Sequence, residues 1–528
     1  MKLFLISIIP YLIFSIFKTK KSFHMLQQNY YDLDLRYFKW ILSNISKIMF
    51  ESDLLFVLLP LAIFFNSGVA IGTFIILYGI IFLKYRNKKT MDKKPLVITA
   101  RIKRLAFTMF LIYFVVIMPF VINCELDNIV YYYMVFGLVT YLNYFVVMVA
   151  NVINTPIEKC VYLYYKSKAN SKLKSMNIPV IGITGSYGKT SSKNIINDIL
   201  NVKLNSFATP KSFNTPYGLI SSINNHLDKF NDVFIAEMGA FKLGDIKDNC
   251  KIVKPKYGVI TSIGEAHLES FGSKENIVKG KFELIESLPS DGLAILNGDD
   301  ENQLKYKINS NCSVKWIGIE NKEVDLYATN IKLTDKGTSF ECVFKDDDTK
   351  YKFNTKLLGK HNVYNILAGI LLGYELGLSI SELQRGVSSV KTIEHRLELK
   401  KIGNINIIDD AYNSNPVGSK MAVEVLGLMN GVKIIVTPGM IELGKEQYNL
   451  NYKFGEYISD VCDYVILVGK KQTKPIYDAL IEKKYDKKKI FIINDIREAF
   501  TIMRRLASKD EKSTYVLLEN DLPDLFNE

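Results

Sequence analysis

A short glycine-rich segment, GITGSYGKTSSKN at 182–194, is the part of the sequence best suited to phosphate chemistry. An apolar run precedes it and a helical pattern follows, so backbone N–H groups at the start of that helix would point towards an anion. Glycines let a phosphate approach the backbone closely, Lys189 would contact the β- and γ-phosphates, and the Thr190 hydroxyl would bind Mg²⁺. The segment therefore predicts a site for Mg·ATP.

The glycine spacing departs from the standard phosphate loop. Gly182 lies one residue too far from Gly188 for the common G-x-x-x-x-G-K-[ST] pattern, so the loop begins at Gly185 instead. The strand and helix patterns on either side argue against a glycine turn with a chance Lys-Thr pair. The predicted nucleotide-contacting residues of the loop are Gly185, Ser186, Tyr187, Gly188, Lys189, Thr190 and Ser191.

Further segments follow the loop in order along the chain. They are SFNTPYG (212–218), AEMGAFKLGDI (236–246), SIGEAHLESFGS (262–273), VKGKFELI (278–285), LNGDD (296–300), LLGKHNVYNILAG (357–369), EHRLE (394–398), IIDDAYNSNP (407–416) and PGMIELG (438–444). Each alone is weak evidence, but together and in this order they are specific. The chain resembles the Mur ligases, whose loop has the same short glycine spacing, and DDAYNSNP with GMIELG is most similar to the branch that adds D-alanyl-D-alanine.

The resemblance implies a reaction and a metal site. Mur ligases use ATP to turn a carboxylate into an acyl phosphate, which an incoming amine attacks to form an amide. By match to the family pattern, Thr190 and Glu237 would hold a first Mg²⁺ and His267 a second. Lys281 matches a lysine that the family carbamylates, which would make it an anionic metal ligand. The local sequence GKFEL differs from the usual AKGEI, so Lys279 is a rival for this role.

The resemblance also assigns residues to the base and the substrates. His361, Asn362 and Asn365 fall in the segment that faces adenine in the family, and an amide can read both donors and acceptors on the adenine edge. Arg396 and Asp409 match residues that reach the phosphate and the ribose of ATP. The predicted amine-site residues are Tyr412, Asn413 and Asn415. The predicted catalytic set is Lys189, Lys281, His267 and Arg396.

These residues need an α/β scaffold, which the hydrophobic pattern from Ile178 onward predicts. The apolar runs PVIGITG, VFIAEMG, YGVITSIG and LAILNGDD alternate with amphipathic stretches, and INIIDDAY, KIIVTPG, YVILVG, KIFIIND and TYVLLEN look like five further parallel strands. The predicted fold class is α/β, with two doubly wound units after N-terminal transmembrane helices. These units are a P-loop-containing Mur ligase central domain at 178–396 and a Rossmann-like C-terminal Mur ligase domain at 397–528.

Residues 1–154 predict a membrane region of four or five spans, joined by a linker at 155–177. The apolar runs are Leu3–Phe17, Leu54–Leu83, Leu105–Ile122 and Ile129–Ile153, and about 20 apolar residues cross a bilayer. We interpret the first run as an anchor, because no small-residue cleavage site follows it. Leu54–Leu83 is either one steeply tilted helix or a hairpin broken at Asn66-Ser67-Gly68, and the positive-inside rule favours the hairpin.

The charge distribution places the catalytic part inside the cell. Between Lys84 and Arg104, nine basic residues accompany one acid, as in the cytoplasmic loops of membrane proteins. The formal charge of +13 therefore fits a membrane surface and phosphate-bearing substrates, and no basic-aromatic module indicates nucleic acid. We expect a multi-pass cell-membrane protein with cytoplasmic catalytic domains.

The cysteine and histidine content narrows the site chemistry. Six cysteines are scattered singly with no C-x-x-C pair, which argues against a zinc ribbon and a disulfide framework. Five histidines exclude a histidine-rich metal site. The expected cofactors are ATP, two Mg²⁺ ions and a carbamylated lysine.

The resemblance does not extend over the whole chain. Membrane spans stand where the family's peptidoglycan enzymes carry a UDP-binding domain, so the acceptor is either a UDP-linked or a lipid-linked muramoyl peptide. The amine would be D-alanyl-D-alanine or another amino acid or dipeptide. The C-terminal LLENDLPD lacks the Lys-Gly-Ser-Arg-like run often found in the D-alanyl-D-alanine branch, which leaves the amine open.

Three other functions are compatible with parts of the pattern. One is a membrane-bound poly-γ-glutamate-type synthetase, which shares the Mg·ATP chemistry. Another is the ATPase subunit of a lipid-linked-precursor amidotransferase, although the four-cysteine zinc insert usual in that relative is absent from the sequence. The third is an inactive membrane scaffold, against which the intact set of Lys189, Thr190, Glu237 and His267 argues.

Overall fold

The computed structural model describes residues 2–32, 36–49, 67–87, 95–122, 129–265, 268–334, 337–411, 415–441, 443–507 and 513–521. Contacts divide the chain into two compact units, Met1–Tyr164 and Tyr165–Glu528. The first unit is helical, and the second contains two mixed sheets flanked by helices.

Aromatic side chains form the core of the helical unit. Its described helices are α1 (Lys2–Gln28), α2 (Phe38–Ser43), α3 (Ile45–Met49), α4 (Ser67–Asn87), α5 (Ala100–Ile122), α6 (Ile129–Tyr141) and α7 (Asn143–Met176), the last of which continues into the second unit. The rings of Phe74 and Tyr133 stack with their centroids 3.8 Å apart. Arg104 on α5 donates two hydrogen bonds of 2.7 and 2.8 Å to the Glu158 carboxylate on α7. Ring packing and this ion pair thus join helices that are distant in sequence.

Two described helical segments, Ala100–Phe120 and Asn143–Met176, are long and apolar enough to cross a membrane. Gly68–Leu83 and Ile129–Tyr141 are shorter apolar helices. Large apolar side chains, including Ile80, Phe110 and Val115, are exposed on the surface of this unit. Such exposed apolar surface is uncommon on a soluble monomer and favours contact with lipid or protein.

The predicted membrane segments map onto these helices in different ways. Leu3–Phe17 lies within α1, and Leu105–Ile122 lies within α5. For Leu54–Leu83, residues 54–66 lie outside the described residues, and α4 begins at Ser67, inside the predicted break.

The run Ile129–Ile153, expected as one span, is divided at Leu142 into α6 and α7. The buried side chain of Asn143, the first residue of α7, accepts a hydrogen bond of 2.6 Å from Ser22 and donates to Thr19 (3.0 Å) and Tyr113 (2.9 Å). The turn therefore places a polar amide among polar groups of α1 and α5. One amide within an apolar run gives no turn signal in the sequence.

The phosphate loop belongs to a sheet of nine described strands. They are β1 (Val180–Thr184), β2 (Ser206–Ala208), β3 (Val233–Glu237), β4 (Tyr257–Ile260), β5 (Leu293–Asn297), β6 (Ser313–Gly318), β7 (Leu326–Thr334), β8 (Gly337–Phe344) and β9 (Asp347–Thr355). Their order is β2-β3-β1-β4-β5-β6-β7-β8-β9, parallel as far as β7. The chain visits one side of β1 and then crosses to β4 on the other. Ligands bind at such a switch point in open α/β sheets.

The four apolar runs predicted as strands in this half are confirmed as β1, β3, β4 and β5. The antiparallel extension formed by β7, β8 and β9 was not predicted. Along much of β7, buried or half-buried side chains alternate with more exposed ones. A sheet with one solvated face shows such alternation in place of a continuous apolar run.

A second sheet of six described strands follows. Its strands are β10 (Glu398–Ile402), β11 (Ile405–Asp410), β12 (Val432–Thr437), β13 (Tyr464–Val468), β14 (Ile490–Ile493) and β15 (Thr514–Glu519), in the order β10-β11-β15-β12-β13-β14. The five predicted strands, β11 to β15, are confirmed as parallel. The added strand β10 pairs antiparallel with β11 at the edge, and its sequence ELKKI is too polar to predict a strand.

Helices cover both sheets and bring the nucleotide segments together. They are α8 (Lys189–Leu200), α9 (Pro216–Asn225), α10 (Asp245–Val253), α11 (Leu268–Phe271), α12 (Lys274–Glu286), α13 (Glu301–Leu304), α14 (Lys360–Glu375), α15 (Ile380–Ser389), α16 (Pro416–Gly427), α17 (Gln447–Val461), α18 (Lys474–Glu482) and α19 (Ile496–Ala507). Helices α8 and α14 share the core of the first sheet through Ile196, Ile199 and Ile366. Leu358, which precedes α14, packs instead in the core of the second sheet with Ile408 and Val425.

Candidate active site

Three neighbouring strands of the first sheet end at one edge, and the candidate site lies there. Ile183 of β1 pairs with Glu237 of β3, and Thr184 pairs with Ile260 of β4. The residues that follow β1 and β4, together with the last residue of β3, therefore lie next to one another. The sheet topology thus brings together segments separated by more than seventy residues.

The phosphate loop has a backbone that requires glycine at two positions. Gly185 has a φ of 149°, and a Cβ atom there would lie 2.1 Å from Thr261 Oγ1. Gly188, with a φ of 79°, precedes the first residue of α8. The Ser186 N–H donates a hydrogen bond of 2.7 Å to the Ser262 carbonyl, which holds the loop against the segment after β4. The helix start and the bare glycine backbone suit a phosphate.

Lys189 folds back over the loop. Its Nζ donates hydrogen bonds to the carbonyls of Gly185 (2.7 Å) and Ser186 (3.0 Å). Burial lowers the pKa of Lys189 to about 8, Glu237 opposes this shift, and Arg396 adds to it. The ammonium group is therefore still mostly protonated at pH 7 and can pair with a phosphate.

Glu237 is buried, with 1% of its surface exposed. Its Oε1 accepts hydrogen bonds from the Thr190 hydroxyl and the Asn214 amide, both at 3.1 Å. Its Oε2 lies 3.1 Å from Lys193 Nζ, but the two groups are not aligned as a hydrogen bond. One oxygen of a buried carboxylate is thus left without a hydrogen-bond donor among the described residues.

These groups fit a magnesium ion. Mg²⁺ prefers oxygen ligands such as carboxylates and hydroxyls, and the Thr190 hydroxyl and the Glu237 carboxylate are already adjacent. The second oxygen of Glu237 has lone pairs that a cation would satisfy. His267, predicted as a ligand of a second ion, lies outside the described residues. Within the described ranges, no three His, Cys, Asp or Glu side chains cluster as a metal site.

Lys281 is buried in α12, whereas its rival Lys279 is exposed. The Lys281 Nζ lies 5.5 Å from the centroid of the Phe271 ring. Burial, followed by the charge of Lys189, holds the pKa of Lys281 well below its usual value. An uncharged amine is the form that reacts with carbon dioxide to give a carbamate, so the environment of Lys281 suits that modification.

A cavity of about 360 Å³ opens beside the phosphate loop. The predicted nucleotide residues among those lining it are Tyr187, Gly188, Ser191, Asn362, Asn365 and Arg396. The side-chain amide oxygen of Asn365 accepts a hydrogen bond of 2.6 Å from the Ser192 hydroxyl, which ties α14 to α8. The size and polar lining suit one nucleotide.

His361 also lines this cavity, and its Nδ1 is buried with no hydrogen-bond partner among the described residues. Burial, and then the charge of Arg396, lower the pKa of His361 to about 4. The imidazole is therefore neutral at pH 7 and offers a hydrogen-bonding edge to a ligand.

The two adjacent carboxylates at the end of β11 have different surroundings. Asp409 accepts hydrogen bonds of 2.8 Å from both Lys400 and His395. Burial would raise the pKa of Asp409, but these two partners outweigh burial and lower it. Asp410 lines the nucleotide cavity instead, and burial raises its pKa to about 6 despite the opposing charge of Arg396. Asp410 thus joins the candidate site although sequence reasoning selected Asp409.

The predicted amine-site residues lie between β11 and α16. Tyr412 and Asn413 fall outside the described residues. Asn415 lines the nucleotide cavity, and its side-chain oxygen accepts a hydrogen bond of 2.8 Å from the Gly418 N–H as the N-cap of α16. The described part of this segment therefore has a structural role at the helix start.

Comparison with known proteins identifies the family. Residues 183–373 match the profile of the Mur ligase middle domain, and residues 395–518 match that of the Mur ligase, glutamate ligase domain. The UDP-N-acetylmuramoyl-tripeptide–D-alanyl-D-alanine ligase of Bacillus subtilis (strain 168) is 30% identical over 348 residues, which are 65% of this chain and 74% of that enzyme. The chain belongs to the Mur ligase family. Mur ligases are ATP-dependent ligases, in agreement with the predicted phosphate loop.

Other Mur ligases match over a similar part of the chain. The enzyme of the same name from Escherichia coli (strain K12) is 30% identical over 294 residues, covering 55% of this chain and 64% of that enzyme. The structure of MurF ligase from Thermotoga maritima in complex with ADP is 27% identical, with a TM-score of 0.61 over 68% of this chain and 80% of that one. In the part of the chain that the structure describes, helices precede the Mur ligase middle domain.

Sequence reasoning missed several residues that shape the site. Lys193 and Asn214 contact the Glu237 carboxylate, and Thr261 packs against the loop. Asn214 lies within the segment SFNTPYG, which was noted for its resemblance but given no role. Lys193 lies four residues after Lys189 and therefore on the same face of α8. This spacing is the sequence feature that could have identified Lys193 as a site residue.

Proposed function

We propose that this Mur ligase joins an amine to the carboxylate of a peptidoglycan precursor through an acyl-phosphate intermediate, with D-alanyl-D-alanine as the amine. The proposal depends mainly on one arrangement, in which Lys189 folds back over the phosphate loop and Thr190 contacts Glu237. Buried Lys281 lies close enough to Lys189 for that charge to lower its pKa further. The two relatives described above are both named for D-alanyl-D-alanine addition, which supports this choice of amine.

In this proposal, the chain's own residues bind and orient the phosphates. The loop N–H groups and Lys189 hold the negative charge of ATP, and Arg396 extends the positive lining of the cavity. Thr190 and Glu237 would hold a first Mg²⁺ ion, which would supply electrostatic stabilisation of the phosphoryl group. His361, Asn362 and Asn365 contact the base, and Asp410 rather than Asp409 faces the nucleotide.

We further propose that Lys281 is carbamylated and, with His267, holds a second Mg²⁺ ion. The burial of Lys281 and its lowered pKa support this assignment over Lys279, which is exposed. A carbamate would place an anion beside Lys189, whose charge disfavours a protonated Lys281.

The helical unit is proposed to be a multi-pass membrane region, with the Mur ligase domains in the cytoplasm. The two segments of spanning length and the exposed apolar side chains support this placement. The acceptor in this arrangement is a cell-wall precursor at the membrane surface, either UDP-linked or lipid-linked. Tyr412, Asn413 and Asn415 remain proposed contacts of the amine substrate.

Phosphate release from the full-length protein in detergent tests the proposal. UDP-linked and lipid-linked muramoyl tripeptides would each be supplied with D-alanyl-D-alanine, glutamate or ammonia. We expect release only when a muramoyl tripeptide and D-alanyl-D-alanine are both present. Release with glutamate would indicate a poly-γ-glutamate-type synthetase, and release with ammonia an amidotransferase subunit.

Two lysine variants provide the controls. Lys189→Ala should abolish release, whereas Lys305→Ala, which removes an exposed lysine paired with Glu301 on α13, should not change it. Activity that survives Lys189→Ala would contradict the proposed ligase, as would a wild-type protein with no release under any combination.

A further inference from the structure

A second cavity, of about 280 Å³, lies beside the nucleotide cavity. Among the residues lining it are Ile263, Glu265, Lys274, Val278, Val417 and Leu450. Tyr187, Ile263 and Val417 line both cavities, so the two adjoin at the phosphate loop. We call this second space the side cavity.

The side cavity is small for a substrate site. Pockets for drug-sized molecules usually measure about 300–1,000 Å³. At about 280 Å³, the side cavity suits an amino acid or a dipeptide better than a sugar nucleotide or a muramoyl peptide. Its size therefore favours the smaller of the two substrates that an amide ligase joins.

The lining has two kinds of surface. Ile263, Val278 and Leu450 give apolar walls, whereas Glu265 and Lys274 form an ion pair at the cavity. Lys274 is 63% exposed and Glu265 is 28% exposed, so both charged groups are accessible to a solute. Opposite charges beside apolar walls match a zwitterion with short apolar side chains.

The position of the cavity relates it to the reacting groups. Lys274, Val278 and Lys281 lie on α12 at intervals of four and three residues, which places them along one face of the helix. The face that lines the side cavity therefore continues towards buried Lys281. The cavity wall also includes Pro416, which directly follows Asn415 of the predicted amine segment.

We propose that the side cavity binds the amine substrate as a zwitterionic dipeptide, with Lys274 contacting its carboxylate and Glu265 its ammonium group. The assignment rests on the proposed ligase function and adds the site and the charge pattern of the amine. In the free protein, Glu265 and Lys274 form an ion pair with each other. The bound dipeptide breaks this pair and forms one ion pair with each of the two residues. The hydrogen bond to Glu265 is the main cause that raises the pKa of Lys274, and Glu446 of the facing domain makes a smaller contribution in the same direction.

A ligand lacking one charge tests the contact with Lys274. For the full-length wild type, D-alanyl-D-alaninamide, which has no carboxylate, should show a KM roughly 10-fold above that of D-alanyl-D-alanine, as expected for loss of a charge-assisted hydrogen bond. The Lys274→Met variant should raise the KM of the acid to a similar degree and leave the KM of ATP unchanged. The amide should then bind the variant no worse than it binds the wild type.

The Glu265→Gln variant tests the other end of the ligand in the same way. Its KM for the dipeptide should rise roughly 10-fold, whereas the KM for ATP should stay constant. Lys305→Met serves as the matched control, because Lys305 forms an exposed ion pair and lines neither cavity itself. The assignment is overturned if both cavity variants keep the wild-type KM for the dipeptide. It is also overturned if Lys274→Met raises the KM of D-alanyl-D-alaninamide by the same factor as the KM of D-alanyl-D-alanine.

Direct binding separates this proposal from the proposed function. Calorimetric titration of D-alanyl-D-alanine into the full-length protein with a non-hydrolysable ATP analogue needs no turnover. If D-alanyl-D-alanine binds Lys274→Met more weakly than Lys305→Met, the result supports binding of the amine in the side cavity, even if the proposed acceptor substrate is wrong. Equal binding, or no binding to the wild type, overturns the assignment whether or not phosphate is released.

Discussion

Lys193 and Glu237 form a fully buried ion pair, with Nζ and Oε2 3.1 Å apart and each side chain 1% exposed. Lys193 also donates a hydrogen bond to the Lys211 carbonyl, so its ammonium group is fixed on two sides. The lysine thus compensates the charge of a buried carboxylate.

The Lys193→Met variant should be less stable. Removing one partner of a buried pair typically costs about 3–5 kcal/mol because the other charge remains buried. Thermal unfolding of the full-length protein should show a lower midpoint, which Mg·ATP should partly restore if the ion binds Glu237. The double variant Lys193→Met with Glu237→Gln should recover much of the loss. A single variant as stable as the wild type would contradict this role for the pair.

Nucleotide binding should weaken as pH rises above 8. Burial lowers the pKa of Lys189 to about 8, so its positive charge is present below that pH and is lost above it. The KM for ATP should therefore rise between pH 7 and 9. Lys189→Arg keeps its charge throughout this range and should show a flat profile, even if its affinity is lower. Parallel profiles for the wild type and Lys189→Arg would exclude titration of Lys189 as the cause.

Carbon dioxide should activate the enzyme through Lys281. Burial holds the pKa of Lys281 well below its usual value, which favours the uncharged amine that reacts with carbon dioxide. Removing bicarbonate should lower phosphate release, and adding ¹³C-bicarbonate should restore release together with a carbamate carbon signal in the NMR spectrum. Lys281→Arg should abolish both effects, and Lys279→Met should abolish neither, since Lys279 is exposed. Dependence on Lys279 instead would reverse the assignment.

Gly185→Ala should prevent nucleotide binding. The new Cβ would lie 2.1 Å from Thr261 Oγ1, so the loop would have to move. Gly244→Ala is the matched control, because Gly244 also has a positive φ, of 91°, but nothing lies within 4 Å of a Cβ there. Both variants have backbone strain of about 1–3 kcal/mol, but only Gly185→Ala should lose ATP binding by calorimetry. Equal ATP binding would show that contact with Thr261 is unimportant.

The two carboxylates at the end of β11 should respond oppositely to substitution. The raised pKa of Asp410, about 6, means that the folded state binds more protons than the unfolded state between about pH 4 and 6, so this group lowers stability as pH rises through that range. Asp410→Asn should therefore stabilise the free protein at pH 7. Asp409→Asn should destabilise it, because the lowered pKa of Asp409 reflects its bonds to Lys400 and His395. Thermal midpoints that move the same way for both would contradict this distinction.

The sequence predicted the parts of the fold that depend on continuous apolar runs. Strands β1 and β3 were recognisable because they are buried throughout. Strand β10, which is polar, and the alternating strand β7 gave no such run, so the antiparallel edges of both sheets were missed. Likewise, the break before Asn143 depends on polar partners in other helices, which the local sequence does not contain.

The site was predictable as a set of segments but not as a set of contacts. Thr190 and Glu237 were assigned to one ion from motifs alone, and they lie within hydrogen-bond distance. Which of Asp409 and Asp410 faces the cavity depends on the strand's register and orientation, because adjacent residues point to opposite faces. Lys193 could be recognised as a partner of Glu237 only after the sheet had placed β3 beside β1.

Leu358 gives the two Mur ligase domains a mechanical link. Its side chain is anchored in the C-terminal core, while its carbonyl accepts a hydrogen bond of 2.8 Å from the Asn362 amide at the start of α14. Any hinge rotation that parts the domains must either pull on this amide or break its bond. Since Asn362 is a proposed contact of the adenine, we expect movement of the two domains and release of the nucleotide to be coupled.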